Sequence, residues 1–332
     1  MAAERLLVVG PSWVGDMVMA QALFKALATR FPGADIDVVA PGWSVPIVAR
    51  MPEVRQAVVL ATGHGEFGLG KRRALAASLK VEGYTRAIIL PRSMKAALVP
   101  WFAGIPRRTG FRGEMRFGVI NDIRPFDKAL LDQTVKRFVA LGLAAGETPD
   151  TIPQPELRVD RERQQQIVEA LELPTDRPVV AMMPGAEYGP AKCWPLEHFA
   201  SLATELDARG YSVWLLGSDK DRPAGDAIAA ASAAINLCGR TSLEDVIDVL
   251  ALAERAVSND SGLMHVAAAV GCHVHGLYGS SSPAFTPPLT ERRTIHHLDL
   301  DCSPCFQREC PLGHLDCLKK LEVSEILAAI GT

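Results

Sequence analysis

The 332-residue sequence lacks several features that would mark a specialised class of protein. Its formal net charge is only −3, so it shows no basic excess of the kind that nucleic-acid-binding proteins carry. No uncharged apolar run approaches the ~18 residues that a membrane-spanning helix needs. Its seven cysteines are an odd number and do not indicate a secreted disulfide scaffold. Because a strand-like run begins already at Arg5, we expect no signal peptide and a cytoplasmic protein.

What the sequence does contain is an alternation of short apolar runs with helical patterns. The predicted strands cover residues 6–10, 36–40, 57–60, 87–90, 179–183, 214–217, 235–238, 256–258 and 274–278. The predicted helices cover residues 16–31, 45–50, 72–81, 160–172, 196–209, 243–252, 263–270 and 323–330. Near-continuous apolar strands separated by helices predict an α/β fold whose parallel sheets are covered on both faces.

Proline recurs between the two alternating series, at positions 149, 153, 155, 174 and 178. Because closely spaced prolines are typical of a linker, we expect an N-terminal domain over 1–155, a connection over 156–177 and a C-terminal domain over 178–332. The predicted architecture is two doubly wound, Rossmann-like domains facing a central cleft. The last helix could pack on either domain.

Loops that follow predicted strands are where α/β proteins bind ligands, and the first such loop leads to a carboxylate. It runs from Gly10 to Asp16 and fits neither the G-x-G-x-x-G nor the P-loop fingerprint. Asp16 at the start of a helix is either a cap that complements the helix dipole or a functional carboxylate.

Two further loops offer positive charge and free backbone N–H groups. The loop over 184–195 presents Lys192, which is either a solvated lysine or a cation suited to a phosphate or a leaving diphosphate. The loop over 258–265 begins a helix near Ser261 with small residues, and the free N–H groups there favour an anion. His265 lies one turn further on, where it could face the same ligand.

A basic stretch lies between the first and second of these loops. Residues 92–124 hold seven basic and two acidic side chains, a net +5. Such a bias fits a phosphorylated or carboxylated acceptor, and a solvated basic face explains it equally well. The basic residues are Arg92, Lys95, Arg107, Arg108, Arg112, Arg116 and Arg124.

The C-terminal cysteines have the spacing C-x2-C-x4-C-x6-C, from Cys302 through Cys305 and Cys310 to Cys317, with His314 nearby. This spacing does not match the paired C-x2-C units of common zinc sites, so we expect reduced structural thiols rather than a zinc or iron–sulfur site. The remaining cysteines, Cys193, Cys238 and Cys272, are expected to be small buried apolar residues.

Four longer segments carry a family resemblance. In chain order they read GPSWVGDMVMAQALFKAL, PGAEYGPAKCWP, SLEDVIDVLALAERAVSNDSGLMHVAAAVG and YGSSSPAFTPPL. With FAGIPRRTGFRGEMR and CSPCFQRECPLGH, they make the whole chain resemble the ADP-heptose:lipopolysaccharide heptosyltransferases of glycosyltransferase family 9, and among them the type II enzymes. The resemblance implies a GT-B fold whose second Rossmann-like domain binds the nucleotide-sugar.

The activity that the resemblance implies is inverting transfer of L-glycero-D-manno-heptose from ADP-heptose to the first heptose of the lipopolysaccharide inner core. The alternatives are transfer to a different core acceptor, Kdo, and a sugar-nucleotide epimerase of the same fold. A nicotinamide oxidoreductase and a non-enzymatic binding protein also stay open, although the missing G-x-G-x-x-G counts against the former.

The resemblance also implies roles for individual residues. Asp16 matches the general base, and Lys192 with the helix start at Ser261 matches the groups that stabilise the departing ADP. The implied nucleotide-sugar-binding residues are Gly185, Glu187, Tyr188, Gly189, Ser218, Asp219, Asp221, Asp260, Ser261, Gly262, Leu263 and His265. The implied acceptor-binding residues are Ser12, Trp13, Gly15, Arg92, Lys95, Arg112 and Arg116.

Two positions depart from relatives or stay ambiguous. The acidic residue that holds the ribose in relatives corresponds to either Asp219 or Asp221. Type I relatives carry hydroxyl residues where this chain has Glu187 and Tyr188, so backbone N–H groups could replace their phosphate contacts.

We expect no essential metal or other cofactor, because Lys192 and the helix start can offset the diphosphate charge. The expected partners are ADP-heptose and a lipid-anchored inner-core acceptor, reached by transient contact with the cytoplasmic face of the inner membrane. Nucleic acid is not an expected partner.

Overall fold

A computed structural model of the protein describes residues 4–63 and 65–331. The chain divides into two compact units, one ending at Pro155 and one beginning at Glu156. Over the described residues, each unit is built on a sheet of six parallel strands covered by helices. The predicted α/β class with doubly wound parallel sheets is therefore confirmed.

The sheet of the first unit has the strand order β3-β2-β1-β4-β5-β6. Its strands are β1 (Arg5–Val9), β2 (Asp35–Ala40), β3 (Gln56–Val59), β4 (Arg86–Ile89), β5 (Arg107–Phe111) and β6 (Asp122–Arg124). Its helices are α1 (Val14–Arg30), α2 (Val45–Ala49), α3 (Leu69–Leu79), α4 (Met94–Phe102) and α5 (Thr134–Gly142). The order reverses between β1 and β4, and in such sheets ligands bind outside the carboxyl ends of the strands at that reversal.

The second sheet repeats this arrangement with the order β9-β8-β7-β10-β11-β12. Its strands are β7 (Val179–Met183), β8 (Ser212–Leu215), β9 (Ile235–Asn236), β10 (Ala253–Asn259), β11 (His273–Tyr278) and β12 (Arg293–His297). Its helices are α6 (Arg161–Ala170), α7 (Leu196–Ala208), α8 (Arg222–Ala230), α9 (Leu243–Leu250), α10 (Gly262–Ala269), α11 (Asp316–Lys319) and α12 (Val323–Ile330). Here the order reverses between β7 and β10.

The core of the second unit shows why its central strand is apolar from end to end. All five residues of β7 are buried, and Val180 and Met182 belong to one core cluster with Phe199 of α7. Ile326 and Ile330 of α12 join the same cluster, and α12 packs on α7. The last helix, whose packing partner the sequence left open, is therefore part of the second unit.

The segment predicted as a connection contains α6, which packs on α9. The Asp160 carboxylate caps this helix by accepting hydrogen bonds from the backbone N–H groups of Glu162 and Arg163. The Arg163 guanidinium also lies 2.7 Å from the Asp245 carboxylate of α9. Much of this segment is thus a packed element of the second unit.

Across the part of the chain that the structure describes, no helix combines the length and apolarity needed to cross a bilayer.

Candidate active site

The loops that follow β7 and β10 meet where the strand order of the second sheet reverses. Lys192 belongs to the loop after β7, and its Nζ lies 2.5 Å from Oδ2 of Asp260, which follows β10. The two side chains are only 17% and 5% exposed, so the ion pair is largely withdrawn from water. The structure thereby joins two loops that the sequence singled out separately.

Asn259, the last residue of β10, fixes the loop over 184–195, called here the Lys192 loop. Its buried amide donates to the carbonyl oxygen of Pro184 at 2.6 Å and accepts from the backbone N–H of Trp194 at 3.0 Å. One side chain thus ties both ends of the loop together. Asn259 is a positioning residue that the sequence analysis missed, because nothing in one sequence separates it from any asparagine at the end of a strand.

The start of α10 lies beside the ion pair. Ser261 is the N-cap, and in the described structure its side chain makes no capping bond to the helix. Its Oγ instead lies 3.2 Å from Oγ of Ser258. The backbone N–H groups of the first turn, which begins with Gly262 and Leu263, are therefore not capped by Ser261, and a helix start of this kind favours an anion.

His265 lies inside the fold next to this helix start. It is 4% exposed, and burial lowers its pKa to about 4, while Asp260 opposes and Lys192 reinforces the shift. The ring is therefore neutral at pH 7. Among the described residues, nothing hydrogen-bonds its buried Nδ1.

Asp219 and Asp221 share one short turn after β8 but differ in their surroundings. Oδ2 of Asp221 accepts hydrogen bonds from the backbone N–H and the hydroxyl of Ser218, both at 2.8 Å. A Cβ at Gly185 would lie 2.1 Å from Oδ1 of Asp221, so glycine is needed for this close approach. The Asp219 side chain is 84% exposed, with Arg222 at 3.3 Å. Asp221 therefore caps its own turn and packs against Gly185 of the Lys192 loop, whereas Asp219 is the carboxylate accessible to a ligand.

Two other predicted residues of the Lys192 loop are also located. Glu187 forms an exposed ion pair with Lys220 at 2.6 Å. Tyr188 lies against the cation, with Lys192 Nζ 5.1 Å from the centre of its ring. An ammonium at this distance from an aromatic ring is attracted to its face.

A pocket of about 460 Å³ opens at the strand-order reversal of the first unit. Asp16, in the first turn of α1, lines it. Four predicted acceptor-binding residues line the same pocket: Ser12, Trp13, Arg92 and Lys95. A carboxylate, an indole and two cations are thus gathered around one cavity, which suits a sugar that carries anionic groups.

Gly15 and Arg112 are not part of this lining. Gly15 is buried within α1. Arg112 is exposed, and its guanidinium lies 5.3 Å from the centre of the Phe117 ring.

Arg116 has a different role from the one predicted. It is 2% exposed and donates hydrogen bonds to the carbonyl oxygens of Pro91, Ser93 and Phe111, at 2.8, 3.0 and 2.7 Å. Its two terminal nitrogens donate inside the fold, and this burial corrects the prediction that Arg116 contacts the acceptor. Because two of these carbonyls flank Arg92, Arg116 braces the loop that carries this pocket residue.

Much of the remaining basic stretch is also used structurally. Arg107 and Arg124 both pair with Asp122, at 2.9 and 3.2 Å. Arg108 donates to the carbonyl oxygen of Val119 at 2.6 Å. The local excess of +5 is therefore a poor measure of the charge that this segment offers to a ligand.

The sequence analysis missed several residues of the pocket, among them Arg137, Phe126 and Trp43. The guanidinium groups of Arg92 and Arg137 lie 4.8 and 5.2 Å from the centre of the Phe126 ring. Trp43 also lines the pocket, and its indole N–H donates to the carbonyl oxygen of Ser12 at 2.8 Å. Arg137 belongs to α5, outside the basic stretch, so charge clustering could not reveal it.

The seven cysteines are all free thiols. Cys238 and Cys272 are buried as predicted, whereas Cys193 is only half-buried. Burial raises the pKa of Cys317, and the thiols of Cys302, Cys310 and Cys305 add to that shift. Within residues 4–63 and 65–331, no three His, Cys, Asp or Glu side chains are arranged to hold a metal ion.

Comparison with known proteins gives consistent results over nearly the whole chain. The model of glycosyltransferase family 9 (heptosyltransferase) matches residues 72–316. Lipopolysaccharide heptosyltransferase 2 of Escherichia coli K12 is 46% identical over 306 residues, which cover 89% of this chain and 88% of that protein. Lipooligosaccharide heptosyltransferase 2 of Haemophilus influenzae is 44% identical over 307 residues, 88% of each chain.

Solved structures of heptosyltransferases also resemble this chain. The E. coli ADP-heptose lipopolysaccharide heptosyltransferase II superposes with a TM-score of 0.89 at 41% identity, covering 98% of this chain and 97% of that one. The E. coli heptosyltransferase WaaC with ADP shares the fold, with a TM-score of 0.74 at 22% identity over 98% and 99% of the two chains.

Proposed function

Since this chain belongs to glycosyltransferase family 9, the heptosyltransferases, it is a glycosyltransferase of lipopolysaccharide core biosynthesis, and we propose that it transfers heptose from ADP-heptose to the first heptose of the inner core. Membership of this family sets aside the epimerase, the nicotinamide oxidoreductase and the binding protein considered above. Transfer to Kdo instead of heptose is the alternative that an experiment must distinguish.

The observation that carries the proposed chemistry is the Lys192–Asp260 pair beside the start of α10. A cation and the N–H groups of a helix start at one place are suited to a diphosphate that gains negative charge as it leaves. Asp219, the exposed carboxylate of its turn, is the residue that we expect to hold the ribose hydroxyls.

The reaction that we propose forms one C–O bond and breaks another. The acceptor hydroxyl attacks the anomeric carbon on the face opposite the diphosphate, and its proton passes to the Asp16 carboxylate. The bond from the anomeric carbon to the diphosphate oxygen breaks, its electron pair leaves on ADP, and the configuration inverts. Lys192 and the start of α10 stabilise that departing charge.

Acceptor binding is assigned to the pocket of the first unit. We expect a phosphorylated or carboxylated acceptor, and Arg92, Lys95 and Arg137 line the pocket together with Trp13 and Trp43. Cations that fit carboxylate or phosphate groups, and aromatic faces that fit sugar rings, support this assignment. We expect the enzyme to act from the cytoplasm, in transient contact with the membrane that anchors its acceptor.

Acceptor choice tests the proposal. The full-length protein is incubated with ADP-heptose and a core that ends in either Kdo or one heptose, and the products are identified by mass spectrometry. We expect the heptose-terminated core alone to gain one heptose, with release of ADP and an unchanged rate when a chelator removes divalent cations. Transfer only to the Kdo-terminated core, or turnover of ADP-heptose without any acceptor, would contradict the proposal.

A further inference from the structure

A second cation contacts the same Tyr188 ring as Lys192, and it comes from a segment to which the proposed mechanism gives no role. The guanidinium carbon of Arg308 lies 5.2 Å from the centre of the Tyr188 ring, and Lys192 Nζ lies 5.1 Å from the same point. The two cations are therefore within about 10 Å of each other, a gap that a diphosphate with a hydrogen bond at each end can span.

The backbone around Arg308 is docked on the Lys192 loop. The backbone N–H of Ala191 donates to the carbonyl oxygen of Arg308 at 3.0 Å, and the Tyr188 hydroxyl donates to the carbonyl oxygen of Phe306 at 2.8 Å. Gly189 adopts a φ of 152°, and a Cβ there would lie 2.6 Å from the Arg308 carbonyl oxygen. The position of Arg308 is thus fixed relative to Lys192, while its side chain stays exposed.

The charges around Lys192 explain why a further cation, Arg308, would help to bind a diphosphate. Lys192 is already paired with Asp260, Lys220 is paired with Glu187, and His265 is neutral at pH 7. These groups together carry no net charge to set against a diphosphate. In the described part of the chain, the contacts of the Arg308 guanidinium include no carboxylate.

We propose that Arg308 binds the diphosphate of the nucleotide-sugar together with Lys192, and that the cysteine-containing segment around it serves to present this side chain. The inference rests on the proposed use of ADP-heptose. A guanidinium offers a planar fork of donors that matches two phosphate oxygens, which an ammonium cannot do.

The test measures equilibrium binding to the full-length protein by calorimetry, with ADP and adenosine as probes and no acceptor present. Arg308→Gln should weaken ADP binding about 10- to 100-fold, the loss expected for a charged hydrogen-bonded contact, and leave adenosine binding unchanged. Arg308→Lys should recover part of the affinity. Arg209→Gln, at the end of α7, is the matched control and should bind ADP as the wild type does.

Each outcome bears on the inference. Unchanged ADP affinity in Arg308→Gln, or equal losses for ADP and adenosine, would overturn the role of Arg308 while leaving heptose transfer intact. If the wild type itself did not bind ADP, both this inference and the proposed function would fail.

Discussion

Removal of one partner of the Lys192–Asp260 pair probes the fold and the proposed chemistry at once. Lys192→Ala leaves Asp260, which is 5% exposed, without its cation. An unpaired buried charge costs about 3–5 kcal/mol. Because Lys192 itself is 17% exposed, we expect the lower end of that range, about 3 kcal/mol. A domain of the size of the second unit loses roughly 2–4 °C of Tm per kcal/mol, so the Tm should fall by ~6–12 °C.

The double variant separates the two effects. When Asp260→Asn is added to Lys192→Ala, no buried charge remains unpaired, and most of the lost Tm should return. Heptose transfer should stay about 10²–10³-fold below the wild type, because the cation for the leaving group is still missing. Asp260→Asn alone keeps that cation and should bind ADP at least as tightly as the wild type.

The exposed pair Lys220–Glu187 supplies the control. Its side chains are 75% and 57% exposed, so Lys220→Ala should change the free energy of unfolding by at most about 1 kcal/mol. Thermal unfolding, ADP calorimetry and transfer rates are measured on all variants. Wild-type transfer by Lys192→Ala, or a double variant no more stable than Lys192→Ala, would refute the reasoning.

Three further predictions concern other parts of the molecule. Asp16→Asn should lower kcat by about 10²–10⁴-fold with an unchanged Kd for ADP, and a wild-type kcat would leave Asp16 without a catalytic role. Arg116→Ala should lower the free energy of unfolding by about 3 kcal/mol or more, because three carbonyls lose a charged donor. Arg137→Ala should instead mainly raise the KM for the acceptor. Thermal melts and steady-state kinetics are measured on both variants, and similar effects of the two substitutions would contradict these separate roles. Burial lowers the pKa of His275 to about 3 and that of His296 to about 4, whereas an unfolded imidazole titrates near 6.5. The stability that the neutral rings contribute should therefore be complete above about pH 6.5 and fall by about 2 kcal/mol per ring at about pH 5. Urea unfolding above and below the pKa of an unfolded imidazole measures this loss, and equal stabilities would count against neutral buried rings.

The sequence predicted strands best where both faces of the sheet are covered. The strand predicted over 179–183 coincides with β7, because a central parallel strand buried on both faces reads as a continuous apolar run. Strands β5, β6 and β12 were missed. Strands β5 and β12 begin with an arginine and β6 begins with Asp122, and both β6 and β12 form edges of their sheets, so none of the three shows such a run. Helices α4, α5, α8 and α11 were missed as well, and in α4 the residue Pro100 interrupts the helical pattern.

Loops could be located from the sequence, but the roles of their residues could not be separated. Glycine and proline after an apolar run mark a loop at the end of a strand, which is how the Lys192 loop was found. Arg92 and Arg116 have the same charge and belong to the same basic stretch, yet one lines a pocket and the other is buried. That difference is set by contacts with distant segments, which one sequence does not record.

Under the proposed mechanism, the Lys192–Asp260 pair has a consequence for rate as well as binding. A diphosphate must compete with a carboxylate already 2.5 Å from the ammonium, so the pair weakens the binding of the intact nucleotide-sugar. As the glycosidic bond breaks, the departing ADP gains charge and competes more strongly. An interaction that grows between ground state and transition state raises kcat, whereas one that is equal in both lowers only KM. The buried carboxylate therefore directs the effect of Lys192 toward the transition state.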